Sequence, residues 1–400
     1  MRILQINKFL YPKGGAETYM FQLSNALKEK GIDIEFWGME DENNIVEDTY
    51  QSFAKNISYK EASLFKIVSN TPRTIYSFDN KKRISKILDH FKPDIVHLHN
   101  YNFQLTPSIL PEINKRRIKI VQTIHDAQMV CPYHRLYNFQ KATICTKCVE
   151  GSFINCINDR CFDGSFFKSV LGATESYYYH SFNYYEKYID RFISPSKFLA
   201  NLVKKRVPKT IEILPNFSDK LEDLKANKAD YYLYFGRISN EKGILELVDI
   251  FRELRFNLII IGSGDQEDIL KTKIAEIKNI SFLGPKREKE LFSYVANAKY
   301  VVQPSKGFEN CPMAVIESFT YNTPVIAGDH SGFKDLIQHK KTGFLLDFTN
   351  FKKMKTSIVE IDKEDVNLLK QNIDMFYQKN LKKEIHIKNI IEIYKQVLPK

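Results

Sequence analysis

Two carboxylates flank a predicted helix start in the segment Gly307-Phe308-Glu309-Asn310-Cys311-Pro312-Met313-Ala314-Val315-Ile316-Glu317. Proline suits a first helical position, because the missing N–H is not needed there and the φ angle is already helical. The apolar run over 313–319 then predicts a buried helix, with Glu309 just before it and Glu317 two turns inside it, roughly 12 Å away at 1.5 Å per residue.

Two acidic groups at that distance cannot share one proton or one metal ion. They can bind hydroxyl groups at two ends of a long ligand, while the free N–H groups at the helix start attract an anion. A nucleotide sugar has this layout, since its diphosphate lies between a sugar and a ribose.

Length and composition predict a globular protein of two domains, because 400 residues exceed one ordinary domain. Hydrophobic residues make up 43% and charged residues 27%, which are ordinary values. The formal net charge of +11 favours anionic partners such as nucleotides, lipid phosphates or nucleic acid, although a lysine-rich solvated surface explains it equally well.

The sequence carries no segment that approaches the roughly 18 apolar residues of a membrane span, and residues 1–5 read as a strand rather than a signal peptide. We therefore expect a cytoplasmic protein, with peripheral contact to the inner face of an anionic membrane as a further option.

Six cysteines in such a chain argue against a disulfide framework. Four of them have the spacing C-x2-C-x7-C-x4-C in a loop-rich insert at 131–164: Cys145, Cys148, Cys156 and Cys161. The first pair has zinc-knuckle spacing and the second is looser. A structural zinc and free thiols therefore both stay open, and disulfides are the less favoured option.

Short apolar runs alternate with helical patterns in the first half of the chain, which is typical of a parallel sheet covered on both faces. The predicted strands are 2–6, 32–37, 95–98, 118–124 and 191–194. The aromatic stretch 177–188 predicts one long helix, which suits either core packing or contact with a membrane surface.

A second series of the same kind follows a polar connector at 218–230, with predicted strands at 231–235, 256–261, 280–283, 300–303 and 324–327. We predict an α/β protein with two Rossmann-like doubly wound domains that face each other across a cleft. The first covers 1–215, with a C-terminal helix at about 380–400 packing back, and the second covers 216–379. Open parallel sheets bind ligands beyond the carboxyl ends of their strands.

Glycines mark two of the predicted strand ends. Gly14 and Gly15 precede the first helix, where glycine lets a phosphate or sugar approach backbone N–H groups, although a plain tight turn is also common there. The full G-x-G-x-x-G pattern is missing, so a nicotinamide cofactor is not indicated. Gly262 and Gly264 resemble half of a dinucleotide fingerprint, or a turn in which Asp265 caps the next helix.

Arg237 and Lys242 place two cations at a helix start after the first strand of the second series. Both could neutralise a leaving diphosphate, with each charge pair worth about 4 kcal/mol at 4 Å and an effective dielectric constant near 20. The alternative is a surface ion pair between Arg237 and Glu241.

Three histidines, His97, His99 and His125, lie at strand ends of the first series and are expected to point to the ligand side. No carboxylate spacing supports a metal site among them. Hydrogen bonding to a sugar hydroxyl or phosphate is the favoured role of His125, a structural histidine is the alternative, and Asp126 offers another polar contact.

Taken in order, these motifs resemble the retaining glycosyltransferases of family 4, which have the two-Rossmann fold called GT-B. The segments that carry the resemblance are 14–17, 123–126, 214–216, 236–243, the Glu309 to Glu317 block, 324–326 and 342–344. The Cys-rich insert resembles a subset that builds bacterial surface polysaccharides such as capsule and lipopolysaccharide.

The resemblance implies roles for individual residues. Glu309 would hold the donor-sugar hydroxyls and Glu317 the ribose, Arg237 and Lys242 would bind the diphosphate, and His125 would touch the transferred sugar. Backbone contacts to the donor would come from Gly14, Gly15, Gly264, Asn310, Cys311, Pro312 and Met313.

The resemblance also implies a UDP- or GDP-sugar donor, a glycan or lipid-linked acceptor, retention of anomeric configuration, and catalysis that requires no metal or cofactor. Two other classes stay open: a nucleotide-sugar epimerase of the same fold, and a basic zinc-containing nucleic-acid-binding protein. The basic residues form no concentrated arm or known reader motif, so we expect no nucleic-acid partner.

Overall fold

The computed structural model describes residues 1–56, 74–141, 143–221, 224 and 229–398. The chain divides into two compact units. The first contains Met1–Phe139, Cys145–Leu214 and Ile387–Lys400, and the second contains Gln140–Ile144 and Pro215–His386. The division at Leu214 lies one residue before the boundary predicted at 215, and the end of the chain belongs to the first unit.

The first unit is built on a six-stranded parallel sheet. Its strands are β1 (Arg2–Ile6), β2 (Asp33–Trp37), β3 (Ile95–Leu98), β4 (Lys119–Thr123), β7 (Arg191–Ser194) and β8 (Ile211–Ile213), and the short β5 (Tyr137–Asn138) and β6 (Thr143–Ile144) lie outside it. The strand order is β2-β1-β3-β4-β7-β8, a doubly wound arrangement that reverses between β1 and β3.

Helices connect these strands. They are α1 (Gly15–Lys28), α2 (Phe78–Phe91), α3 (Ile109–Lys115), α4 (Lys147–Glu150), α5 (Ile154–Asn158), α6 (Phe166–Ser181), α7 (Tyr184–Tyr188) and α8 (Lys197–Lys204). Serine caps begin α2, α6 and α8 by accepting a backbone N–H of the first turn, which satisfies a group that the helix itself leaves unpaired.

The prediction of one long helix over 177–188 is wrong. α6 ends at Ser181, and α7 begins only at Tyr184. Asn183 between them has a left-handed backbone with φ of 50°, a conformation that asparagine tolerates better than most residues. The chain therefore turns where the aromatic pattern continues.

The second unit has another six-stranded parallel sheet. Its strands are β9 (Tyr232–Phe235), β10 (Leu258–Ile261), β11 (Ile280–Phe282), β12 (Tyr300–Gln303), β13 (Val325–Gly328) and β14 (Gly343–Leu346). The order β11-β10-β9-β12-β13-β14 is that of a Rossmann fold. The predicted α/β class with two doubly wound domains is therefore confirmed.

Helices cover both faces of this second sheet. They are α9 (Ile244–Leu254), α10 (Glu267–Ile274), α11 (Glu288–Asn297), α12 (Met313–Thr320), α13 (Phe333–Leu336), α14 (Phe351–Ile361) and α15 (Val366–Asn380). The last helix, α16 (Lys383–Val397), belongs to the first unit from Ile387 onward. Alternate side chains along each strand pack into different hydrophobic clusters, because successive side chains of a strand point to opposite faces of the sheet. Tyr232 and Val302 join one apolar cluster, whereas Leu233 and Val301 join the other.

None of the helices that the structure describes is both long enough and apolar enough to cross a lipid bilayer.

Candidate functional site

A tight turn after β9 carries Lys242. The turn ends at Gly243, whose φ is +68° and where an added Cβ would lie 2.5 Å from the Pro304 carbonyl oxygen. Only glycine therefore fits, and its absence of a side chain lets the turn pack against the loop after β12. The backbone N–H groups of Lys306 and Gly307 both donate to the Glu241 carbonyl, which ties the two loops together.

Glu309 lies at the centre of the polar contacts on this edge of the sheet. Its carboxylate forms an ion pair with Lys242 and accepts a hydrogen bond from the Ser305 hydroxyl at 2.6 Å. Glu309 is 12% exposed and Lys242 is 26% exposed, so both charges are largely withdrawn from water. The pair is consequently held in one geometry before any ligand binds.

A second set of hydrogen bonds fixes the backbone of Glu309. Its N–H donates to the Ser331 hydroxyl at 3.1 Å, and that hydroxyl lies 2.9 Å from His330 Nδ1. His330 Nε2 lies 2.7 Å from the Ser305 carbonyl, which can only accept, so Nε2 carries the proton and Nδ1 accepts from Ser331. His330 thus links the loops that follow β12 and β13.

Arg237 is the most exposed of the predicted charged site residues, at 57%. It lies 4.0 Å from Glu241, too long for a strong ion pair, so the guanidinium keeps most of its capacity to bind an anion. The Tyr234 hydroxyl donates to the Arg237 carbonyl at 2.6 Å. Burial raises the pKa of Tyr234, with the charges of Glu309 and Glu241 adding to it, which places these acidic groups close to the phenol.

The observed start of helix α12 differs from the start that the sequence predicts. Pro312 has φ of −64° and ψ of 113°, so it precedes the helix and the first helical residue is Met313. Glu317 is consequently about one turn inside α12 rather than two. No side chain caps this helix start. Cys311 is buried, which raises the pKa of its thiol to about 12 and keeps it protonated.

Glu317 is a carboxyl group held in apolar surroundings. Burial alone raises its pKa to about 7. Among the described residues it has neither a hydrogen-bond partner nor an ion-pair partner for its carboxyl oxygens. The Glu317 side chain is half-buried, so its carboxyl group stays accessible, and a ligand that supplies hydroxyl groups would offset its partial loss of hydration.

The Gly262 and Gly264 pair brings two loops into close contact. An added Cβ at Gly264 would lie 2.2 Å from the Ile238 carbonyl oxygen, and one at Gly262 would lie 1.8 Å from that of Gly236. Asp265 does not cap α10, because the helix begins at Glu267 and the cap position belongs to Gln266. The glycines thus have a packing role, and the donor contact of Gly264 stays a prediction.

Gly332 should be intolerant of alanine for reasons of space. Its N–H donates to the Glu309 carbonyl, and an added Cβ would lie 1.6 Å from the Asn310 carbonyl oxygen. We expect Gly332→Ala to lower the free energy of unfolding by about 2 kcal/mol or more, measured by denaturant titration. Gly284→Ala is the control, since its φ of +67° is strained but no atom of the described residues lies within 4 Å of an added Cβ, and a loss of about 1 kcal/mol is expected. Equal losses of stability in the two variants would show that the close contact with the Asn310 carbonyl oxygen does not determine the effect of Gly332→Ala.

Gly14 and Gly15 form the start of α1 in the first unit. Gly14 holds the cap position in an extended conformation and no side chain caps the helix, so its first N–H groups stay available to an anion. Nearby, the buried Glu17 accepts a hydrogen bond from the Asn7 amide at 3.0 Å.

The three histidines singled out in the first unit, His97, His99 and His125, take part in side-chain hydrogen bonds near the carboxyl ends of its strands. His97 and His99 are fully buried, contrary to the expectation that they point to a ligand. His99 Nε2 donates to the Gln5 side-chain oxygen at 2.8 Å, so its Nδ1 accepts from His125 Nε2, also at 2.8 Å. His97 contacts the Tyr394 hydroxyl at 2.7 Å.

The tautomer of His125 follows from these hydrogen bonds. Because its Nε2 donates to His99, its Nδ1 is the ring nitrogen that carries no proton in the neutral form. Burial lowers the pKa of His125 to about 4, so the ring is neutral at pH 7. Gln5 was missing from the predicted site, although its strand β1 pairs with β3, and this pairing would have allowed the contact with His99 to be anticipated.

The Cys-rich insert contains only free thiols. Cys148 and Cys156 are buried beside Phe153, and Cys156 donates a hydrogen bond to Cys161 that lowers the pKa of the Cys161 thiol. Within the part of the chain that the structure describes, no three or more His, Cys, Asp or Glu side chains are placed to hold a metal ion. The zinc site suggested by the cysteine spacing, with Cys145 as its first ligand, stays a prediction.

The structure therefore brings Lys242 and Glu309 into direct contact and places Arg237 near the same edge of the second sheet. Sequence reasoning missed Ser305, His330 and Ser331, which hold Glu309. Each follows a strand end within a few residues, and this placement is the signal that could have found them.

Two Rossmann-type units in one chain define a protein of the GT-B class, and solved structures share this fold. Sucrose-phosphate synthase from Thermosynechococcus elongatus matches with a TM-score of 0.72 at 16% identity, covering 99% of this chain and 98% of that one. Anabaena Alr3699/HepE in complex with UDP and glucose matches with a TM-score of 0.65 at 14% identity, covering 99% and 100%.

The chain belongs to glycosyltransferase family 4, whose model matches residues 13–220, more than half of its length. The model described as glycosyl transferases group 1 matches 217–373. An uncharacterized 42.6 kDa protein in the cps region of Klebsiella pneumoniae is 24% identical over 356 residues, covering 84% of this chain and 87% of that one. The chain spans about half the length of the first curated relatives that it matches.

Proposed function

We propose that this protein is a retaining glycosyltransferase that moves a sugar from a nucleotide-diphosphate sugar to an acceptor hydroxyl in the synthesis of a bacterial surface polysaccharide. The observation that carries the proposal is the arrangement of the second unit, in which a preformed Lys242 and Glu309 pair and a half-buried Glu317, without a hydrogen-bond partner among the described residues, flank the uncapped start of α12. Family membership, the UDP and glucose complex of the Anabaena protein and the cps-region relative support it.

In the proposed reaction the bond between the anomeric carbon and the phosphate oxygen breaks, and the diphosphate takes the electron pair. Arg237, Lys242 and the N–H groups at the start of α12 stabilise the developing negative charge, so no metal ion is required in this scheme. The acceptor oxygen forms its bond to the same face of the anomeric carbon, and a departing phosphate oxygen takes the acceptor proton. No side chain acts as a nucleophile.

Glu309 is assigned to the donor-sugar hydroxyls and Glu317 to the ribose. Glu309 already accepts from Lys242 and Ser305, and a carboxylate has room for further hydrogen bonds. His125 is assigned to the transferred sugar on the family resemblance, and its ring is neutral at pH 7.

A panel of UDP- and GDP-sugars tests the donor assignment. We expect one nucleotide class to raise the unfolding temperature and to be consumed when a lipid-linked or free glycan is added. NMR of the product should show the anomeric configuration of the donor. An inverted product would refute retention, release of an epimerised nucleotide sugar without transfer would favour the epimerase, and the absence of any nucleotide effect would refute the proposal.

The pKa of Glu317 leads to a proton-linked prediction. Because burial raises this pKa to about 7, a ribose that donates hydrogen bonds to the carboxylate should lower it, and UDP binding near pH 7 should release about half a proton from this group. Calorimetry in buffers of different ionisation enthalpy measures the release. Glu317→Gln should remove the part of the proton release that comes from this carboxyl group. A proton release that is unchanged in the variant would contradict the ribose assignment.

The same group affects stability in the absence of ligand. Its folded pKa lies above its ordinary value of 4.5, so its favourable contribution to folding is complete below about pH 4.5 and is lost as the pH rises through about 7. Glu317→Gln should therefore stabilise the free protein more at pH 8 than at pH 5.

The acceptor side of the proposal includes a membrane surface. Phe166 and Phe167 at the start of α6 are about half exposed, and the chain carries a net charge of +11. Aromatic side chains with surrounding positive charge favour an anionic interface. Flotation with vesicles containing phosphatidylglycerol should show salt-sensitive association, whereas its absence would favour an acceptor in solution.

A further inference from the structure

The loop that follows β13, residues 328–332, contacts Glu309 on both sides of its peptide backbone. The Ser331 hydroxyl accepts the Glu309 N–H at 3.1 Å, and the Gly332 N–H donates to the Glu309 carbonyl at 2.8 Å. Both backbone polar groups of Glu309 are therefore paired with the same loop. A residue held in this way cannot rotate its backbone without breaking two hydrogen bonds at once.

His330 in this loop connects the backbone contacts of Glu309 with those of its carboxylate. The His330 Nδ1 accepts from the Ser331 hydroxyl at 2.9 Å, and its Nε2 donates to the Ser305 carbonyl at 2.7 Å. Ser305 in turn donates its hydroxyl to the Glu309 carboxylate at 2.6 Å. The two serines are only 2% and 3% exposed, so water competes little for these hydrogen bonds.

The backbone of the 328–332 loop is shaped for these contacts at a cost. An added Cβ at Gly328 would lie 2.5 Å from His330 Nε2, so glycine leaves room for the ring where it lies. Ser331 has φ of +46°, in the left-handed region that residues with a side chain seldom adopt. Strain of this kind persists where the surrounding structure enforces it, and it is concentrated at functional sites. Glycine would relieve the strain but would offer no hydroxyl to Glu309.

We propose that Ser331 and His330 are positioning residues of the transfer reaction, which hold Glu309 in the orientation that the donor sugar requires. The inference rests on the proposed transferase function, in which Glu309 binds the donor-sugar hydroxyls. Both residues act through Glu309 and need no contact with the substrate. A misplacement of about 1 Å can cost a hundredfold in rate, and it should lower kcat more than it raises the KM of the donor, because other groups bind the nucleotide.

Ser331→Gly and Ser331→Ala separate positioning from stability. Both variants lose the hydroxyl, but a φ of +46° suits glycine and strains alanine, so Ser331→Gly should unfold at the higher temperature. Positioning predicts that kcat falls at least about tenfold in both variants while the donor KM changes by less than about threefold. A merely structural role predicts instead that the more stable Ser331→Gly is the faster enzyme. Steady-state kinetics and thermal unfolding of the full-length protein measure the difference.

His330→Leu and His330→Asn test the hydrogen bond between the ring and Ser331. The asparagine oxygen can replace Nδ1 as the acceptor, whereas leucine has no polar atom. We expect kcat to fall at least about tenfold in His330→Leu and to be at least about threefold higher in His330→Asn. Equal kcat values in the two variants would overturn the role of His330.

His339→Leu is the matched control in the same unit. His339 is exposed, and its Nδ1 accepts the Leu345 N–H at 3.1 Å. Its replacement should leave kcat within about twofold of the wild type, because the change is at the surface and does not reach Glu309. A loss in His339→Leu as large as that in His330→Leu would also overturn the role of His330.

Hydrogen exchange of the peptide that contains Glu309 measures its positioning without a transfer assay. The Glu309 N–H loses its acceptor in both Ser331 variants, so this amide should exchange at least about tenfold faster than in the wild type. Unchanged exchange, or faster exchange with a normal kcat, would overturn the inference. A wild type that transfers no sugar from any donor would refute the proposed transferase and this inference with it, whereas a normal kcat in Ser331→Gly would overturn the positioning role alone.

Discussion

Replacing Glu309 with glutamine is expected to lower kcat/KM for sugar transfer by about a hundredfold to a thousandfold. The substitution keeps the shape of the side chain and removes the charge that Lys242 and the Ser305 hydroxyl now contact. A neutral amide cannot orient sugar hydroxyls as strongly as a carboxylate, and Lys242 loses the anion that holds it. Initial rates of nucleotide release with saturating acceptor measure the loss.

The matched control is Glu253→Gln at the end of α9, which removes a half-exposed carboxylate paired with Lys355 in the same unit. It should leave the rate within about twofold of the wild type, because exposed pairs contribute little. A Glu309→Gln enzyme with a normal rate would show that the second unit places this residue for structure alone, and the donor assignment would then be wrong.

The central strands of both sheets were predictable because each is buried on both faces. Strands 2–6, 95–98, 191–194 and 300–303 were predicted with the bounds that the structure shows. Continuous apolar runs between polar turns are the pattern of such strands. Two edge strands, β8 and β14, were missed: β8 has only three residues with a glutamate at its centre, and β14 begins with glycine, which is uncommon inside strands.

The proximity of three predicted charged residues could be anticipated from the sequence, whereas their roles in binding and catalysis stay predictions. Glu309, Lys242 and Arg237 stand out as single charged residues next to glycine turns, and the structure places all three at one edge of the second sheet. Ser305, His330 and Ser331 did not stand out, because serine and histidine are common in loops and only the approach of two loops makes them partners. Long-range pairing of this kind has no local pattern.

The burial of individual side chains also could not be predicted from the sequence pattern. His97 and His99 alternate along one strand like ligand-binding residues, yet both are fully buried and contact Tyr394 and Gln5. Tyr394 lies in the last helix, almost three hundred residues along the chain from His97. The chemical role of a histidine therefore depended on a contact that only the folded chain creates.

Replacing Lys242 with methionine should reduce kcat/KM by about a hundredfold or more, because the leaving diphosphate loses one of two cations. The same change should lower the free energy of unfolding by about 1–2 kcal/mol, since Glu309 is only 12% exposed and is left without its cation. Lys271→Met, which breaks an exposed pair with Glu267 on α10, is the control and should change neither quantity appreciably.

The double variant Lys242→Met with Glu309→Gln separates the two roles of the pair. Removing both charges leaves no unpaired charge, so stability should return toward that of the wild type while activity stays low. Denaturant unfolding and nucleotide-release rates on the four proteins of the cycle measure this. If activity recovered together with stability, Lys242 would act by holding Glu309 and the proposed contact with the diphosphate would be wrong. If neither activity nor stability recovered, the stability lost in Lys242→Met would not come from breaking the ion pair between Lys242 and Glu309.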